Sequence, residues 1–125
     1  MKSCRVPLEL KLLSQVQSIS SVIRLYDVYA NDNSFFYILE KPDCCKDLFD
    51  FINEKGILEE QLAQHFFRQI VETVLACHRE GVVHLDIKDE NILVDLKTLN
   101  LKLIDFGSGA YLKDELYTTF AGEKL

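Results

Sequence analysis

The 125-residue sequence predicts an α+β fold, on three observations. Segments with apolar residues at helical spacing alternate with short runs rich in β-branched and aromatic residues. Turn-forming composition separates these segments, with no repeat, low-complexity tract or Pro/Gly-rich linker. With 48% hydrophobic and 27% charged residues, the chain is suited to closing one core of modest size.

The first element is a short helix over about 7 to 16. Pro7 can occupy a first helical turn, where its missing N–H costs nothing, and Leu8, Leu12, Leu13 and Val16 follow at helical spacing. "VIRLYDVYA" and "SFFYILE" then read as two strands joined by the turn composition "NDN". "KDLFDFINEKG" predicts a second short helix that Gly56 can close with a left-handed backbone.

A longer helix spans about 59 to 79 and ends near Gly81. Its row Leu62, Phe66, Ile70 and Val74 lies beside a second row, Ala63, Phe67, Val71 and Leu75, giving a broad apolar face. Two short strands, "NILV" and "LKLI", flank the polar link "DLKTLN". The order is helix, hairpin, two helices, loop, hairpin.

Charge narrows the function classes. Fourteen basic against twenty acidic residues give a net charge of −6, so neither nucleic acid nor an anionic membrane is expected as main partner, and a basic ligand is mildly favoured. The N-terminus has no apolar segment with a cleavage site, and no apolar run approaches the roughly 18 residues of a membrane span. A cytosolic or nuclear location is expected.

Cys4, Cys44, Cys45 and Cys77 form no C-x-x-C pair, so they read as reduced thiols, with Cys77 in a helix core. His65, His78 and His84 are too scattered for a metal cluster.

The chemistry concentrates in "HLDIKDEN", residues 84 to 91, where five of eight side chains are ionisable between two apolar runs. A loop between a long helix and a hairpin explains how so much charge is placed at the edge of a core. Fourteen residues after Asn91 comes "DFG", Asp105 to Gly107, directly after the second strand. Either motif alone is weak. Together they reproduce the protein-kinase signature in residue type, spacing and structural setting.

On these residues the chain resembles a Ser/Thr protein kinase and, within kinases, the Pim family. "RVPLEL", "VIRLYDV", "DLFDFINEKG", "IKDENIL" and "LKLIDFGSGA" carry the likeness along nearly the whole chain, as does a proline in the segment linking the lobes. The resemblance implies a partial kinase-like fold: residues 1–40 as the end of the small lobe, and 41–125 as the first half of the large lobe with catalytic loop, DFG and start of the activation loop. It also implies ATP and Mg²⁺ as cofactors, and protein substrates with basic residues near the accepting Ser or Thr.

The resemblance implies a role for particular residues of this chain. Asp86 would accept the substrate hydroxyl proton and align the hydroxyl; the plainer alternative is a loop carboxylate capping backbone. Lys88 offsets charge on the transferred phosphate, against the alternative of a solvated lysine. Asn91 and Asp105 would hold Mg²⁺, a hard ion that prefers oxygen. His84 reads as a packed, hydrogen-bonded loop residue rather than a base.

By the same resemblance Glu40-Lys41-Pro42 would be the hinge beside adenine, where Pro42 would lack a donor and the Glu40 carbonyl would remain as acceptor. Asp47 meets the ribose, caps the next helix, or does both. Asp47, Asp50 and Glu90 edge a groove for arginine-rich substrates, each exposed ion pair contributing about 0.2–1 kcal/mol.

Three departures qualify the resemblance. No Gly-rich loop or β3 lysine precedes Glu9, which aligns with that lysine's usual partner. The sequence leaves the Pim pattern at the final "EKL" of "FAGEKL", before any A-P-E segment. Leu85 replaces the arginine that pairs an activation-loop phosphate, so phosphorylation around Tyr117, Thr118 or Thr119 would lack that anchor. The expectation is a catalytic-domain fragment inactive by itself, with uncovered apolar surface on the long helix and the following hairpin. The alternative is a non-catalytic, kinase-derived binding module.

Overall fold

A computed structural model describes residues 5–113. Residues 114–125, including Tyr117, Thr118, Thr119 and "FAGEKL", lie outside the described residues, as does Cys4.

The first helix, α1, spans Leu8–Gln15. Pro7 precedes it as the N-cap, with φ −57° and ψ 144°, and its carbonyl accepts from the amides of Leu10 and Lys11. Proline fits there because its fixed φ suits the chain entering a helix and its carbonyl is free to start the ladder. Leu12, Leu13 and Val16 are buried as the spacing requires, whereas Leu8 stays exposed and Leu10 is buried instead.

The predicted first strand divides. β1 is Leu25–Ala30, paired antiparallel with β2, Phe35–Leu39, across a turn in which the Asn31 side chain accepts from the amides of Asn33 and Ser34. Val22 and Ile23 leave that hairpin and enter the core against Leu103. A β-rich run cannot reveal this, because both destinations favour the same side chains.

β3, Cys45–Asp47, opens the segment read as purely helical, and α2 follows over Leu48–Lys55. The Asp47 carboxylate accepts from the Asp50 amide at 2.8 Å, the hydrogen bond of a helix N-cap. Gly56 ends α2 at φ +79° and ψ −134°, a positive-φ glycine as expected but outside the left-handed helical region.

The long helix α3 spans Glu60–Arg79. Phe66, Thr73 and Cys77 are buried, with Leu62 and Ile70 packed beside them, while Phe67, Val71 and Leu75 of the second apolar row are exposed. Phe66 meets Phe51 of α2 edge to face, with ring centroids 5.4 Å apart. Among the described residues no helix is long and apolar enough to cross a membrane.

β4, Val82–Val83, leads into the charged loop. A 3-10 turn over Asp89–Asn91 precedes β5, Ile92–Asp95, and β6, Leu101–Leu103. β7, Ala110–Tyr111, returns to pair antiparallel with β4, a ladder that two-residue strands do not announce in sequence. β5 is the centre of an antiparallel sheet in the order β3-β5-β6. The second hairpin is therefore not left uncovered: Ile92, Val94, Leu101 and Leu103 are buried in one core with Leu12, Val16, Phe51 and Phe106.

Candidate active site

The β5-β6 hairpin brings the two motifs together. The amide of Ile104 donates to the Asn91 carbonyl at 3.0 Å, so the start of one strand and the end of the other are side by side. "HLDIKDEN" and "DFG" then share one edge of the core.

Buried His84 organises that edge. Its Nδ1 accepts from the Asp86 amide at 3.1 Å, which places the proton on Nε2, and Nε2 donates to the Ile104 carbonyl at 2.8 Å. Burial lowers its pKa below the ordinary 6.5, outweighing the opposing hydrogen bond to Ile104 and the carboxylates of Asp86 and Asp105. Phe106, 1% exposed, sits edge-on to the ring at 4.8 Å between centroids. Spacing alone did not single out Phe106, although its place inside "DFG" was a usable signal.

Asp86 and Asn91 are joined directly. Asn91 Nδ2 donates to both the main-chain oxygen and Oδ2 of Asp86, each at 3.0 Å. Two acceptors on one residue orient the amide, and its oxygen then faces the other way. Lys88 Nζ lies 3.7 Å from Asp86 Oδ1. Carboxylate, amide and ammonium thus form one group.

Asp105 is held differently. Its backbone has φ +59° and Leu85 has φ +65°, positions costly for residues with a Cβ and concentrated at functional sites. Asp105 Oδ1 accepts from the Gly107 amide at 3.1 Å. A Cβ at Gly107 would lie 3.0 Å from that oxygen and 3.3 Å from Glu9 Oε2, so Glu9 of α1 faces the same point. Burial, and then the Asp105 charge, raise the Glu9 pKa above its ordinary 4.5. At Gly109 a Cβ would come within 2.9 Å of the Val83 carbonyl, which explains a glycine where β4 and the post-DFG segment meet.

Glu40 and Asp47 stand outside this group. Glu40 follows β2, and its carboxylate accepts from the Arg24 amide and pairs with Lys102 of β6. Asp47, the α2 cap, is aligned in the sheet with Leu93, two residues beyond Asn91.

Among the described residues no group of three or more His, Cys, Asp and Glu side chains is arranged to hold a metal. Asn91 and Asp105 supply one amide and one carboxylate oxygen donor. This suits Mg²⁺, which keeps water and phosphate in much of its coordination shell. The residues present fit that ion.

The protein kinase domain model matches residues 1–124. The chain belongs to the protein kinase family. It is 47% identical over 128 residues to the serine/threonine-protein kinase pim-2 of Danio rerio, covering 96% of this chain and 41% of that protein. It is 42% identical over 121 residues to the serine/threonine-protein kinase prk-2 of Caenorhabditis elegans, covering 97% of this chain and 27% of that protein. A PAS domain-containing serine/threonine-protein kinase of Mus musculus is 43% identical over 119 residues, or 94% of this chain and 8% of its own length. The chain spans less than half the length of each of these relatives.

Proposed function

We propose that this chain carries the catalytic-loop half of a Pim-like Ser/Thr protein kinase, which transfers the γ-phosphate of ATP to Ser or Thr in basic substrates. Residues 1–40 contribute the end of a small lobe, and 41–125 the first half of a large lobe. The observation that carries this reading is the direct bonding of Asn91 to Asp86, with Asp105 brought alongside by the β5-β6 hairpin.

Phosphoryl transfer needs a hydroxyl aligned in line with the phosphate, charge neutralisation and exclusion of water, with little covalent help. Asp86 accepts the hydroxyl proton as the new O–P bond forms and ADP departs. Its carboxylate is suited to this because Asn91 fixes one oxygen while Lys88 stands beside the other. Lys88 supplies positive charge towards the transferred phosphate. Asn91 and Asp105 would hold Mg²⁺, which when bound neutralises phosphate charge.

The Glu40 carbonyl accepts from adenine, and Asp47 meets the ribose while capping α2. Asp50 in the first turn of α2 and Glu90 in the adjoining 3-10 turn are both exposed, and with Asp47 they form an acidic edge. Arginine side chains of a substrate would pair there. A location in the cytosol or nucleus accords with such substrates.

The test uses a domain completed with the small-lobe sheet and remaining large-lobe helices of a relative. Asp86→Asn lowers phosphate transfer to a basic serine peptide by about 10²-fold or more, the scale of a lost general base. Asp105→Asn lowers it sharply and raises the Mg²⁺ concentration needed. Unchanged turnover in both variants would remove the assigned roles.

A further inference from the structure

Lys102 lies within β6, three residues before Asp105, and lines two clefts. One, of about 360 Å³, is lined by Ser20, Ser21 and Gln69; the other, of about 340 Å³, by Glu40, Pro42 and Asp95. The ammonium group bridges between them. It donates to the Ser20 carbonyl, in the loop after α1, and lies 3.5 Å from Glu40 Oε2.

The same carboxylate is fixed from its other side. Glu40 Oε1 accepts from the Arg24 amide at 3.0 Å, and the Glu40 amide donates to the Arg24 carbonyl at 2.8 Å. The Lys102 and Glu40 side chains are 23% and 22% exposed, so neither swings freely in solvent. Main-chain bonds from Ile23 to Leu103 and from Leu103 to Ser21 already attach the loop to β6. Those bonds stop short of Glu40, and Lys102 extends the attachment to it.

We propose that Lys102 is a positioning residue: its bridge to Glu40 and Ser20 sets the adenine-facing segment against the strand that delivers Asp105 to the metal. The spacing between the two ends of the nucleotide site is thereby set before nucleotide binds. The proposal rests on the nucleotide-binding reading of Glu40 and Asp105. An ion pair of this exposure corresponds to roughly a 1.5- to 5-fold change in an equilibrium. The effect is therefore a tuning of affinity rather than an on-off switch.

Two measurements test it. In the 125-residue chain, Lys102→Met keeps most of the aliphatic stem and removes the charge. The amides of Arg24 and Glu40 should then exchange hydrogen roughly 2- to 5-fold faster, with those of Ile104 and α3 unchanged and protection restored by Lys102→Arg. In the completed domain, Lys102→Met should raise KM for ATP by a similar factor with kcat nearly constant, again restored by Lys102→Arg. Uniformly faster exchange would mean a merely structural lysine and overturn the proposal. Unchanged exchange at Arg24 and Glu40, or local loosening with KM unaltered, would also overturn it. An unsubstituted completed domain without activity would instead overturn the kinase reading and the nucleotide part of this proposal. The exchange measurement, which needs no nucleotide, separates that failure from loss of the bridge.

Discussion

His84 Nε2 donates to the main-chain oxygen of Ile104 at 2.8 Å, joining the charged loop to the residue before Asp105. Burial lowers the His84 pKa, so the folded state disfavours the imidazolium more than the unfolded state does. The stability it contributes is present above about pH 6.5 and is lost as pH falls through the folded value. Thermal midpoints of the chain should drop more steeply between pH 7.5 and 5 than those of His84→Gln. Parallel curves would contradict this.

Glu9 has the opposite sign. Its carboxyl pKa is raised by burial and by Asp105, so its stabilising contribution is present below the unfolded value of 4.5 and lost as pH rises through the folded one. At pH 7 the Glu9→Gln chain should melt higher than the parent, and acidification towards pH 4 should erase the difference. A lower midpoint for the variant at pH 7 would show that Glu9 has a cationic partner.

Two adjacent aromatics should behave differently. Phe66 is 3% exposed and packs on Phe51, so Phe66→Ala should cost about 3–5 kcal/mol in denaturant unfolding. Phe67 is 68% exposed, and Phe67→Ala should stay within about 0.5 kcal/mol. Equal losses would mean that something covers the outer row of α3.

Leu85 is exposed and has φ +65°. Arginine there would meet the same backbone strain and would need a phosphate to pair with. Leu85→Arg in an unphosphorylated, completed domain should therefore change phosphate transfer by no more than about twofold, because the added charge has no partner. A large gain on a peptide assay would show that the leucine itself restrains activity.

The two signature segments were readable because they are short and their spacing is rigid. His84, Asp86, Lys88 and Asn91 lie within eight residues, and a hairpin is the simplest way to return the chain to Asp105. The long helix was readable from its period, but the period marked two apolar rows and the structure buries one. Hydrophobicity reports a preference for burial, not the presence of a neighbour. Two-residue strands such as β4 and β7 carry too little pattern to be seen.

By itself, the sequence determined the order of the three helices and the two hairpins, the separation between the charged loop and Asp105, and the capping capacity of Asp47 and Gly56, because each depends on local spacing or local backbone preference. Tertiary structure alone decided that Val22 and Ile23 abandon β1 for Leu103. It also decided that the Glu9 carboxylate faces that of Asp105, and that Lys102 reaches both Ser20 and Glu40. These contacts join residues about 60 to 100 positions apart. Which partners meet at such distances is set by how the three helices and the β5-β6 hairpin share one core, a competition among packings that no local pattern records.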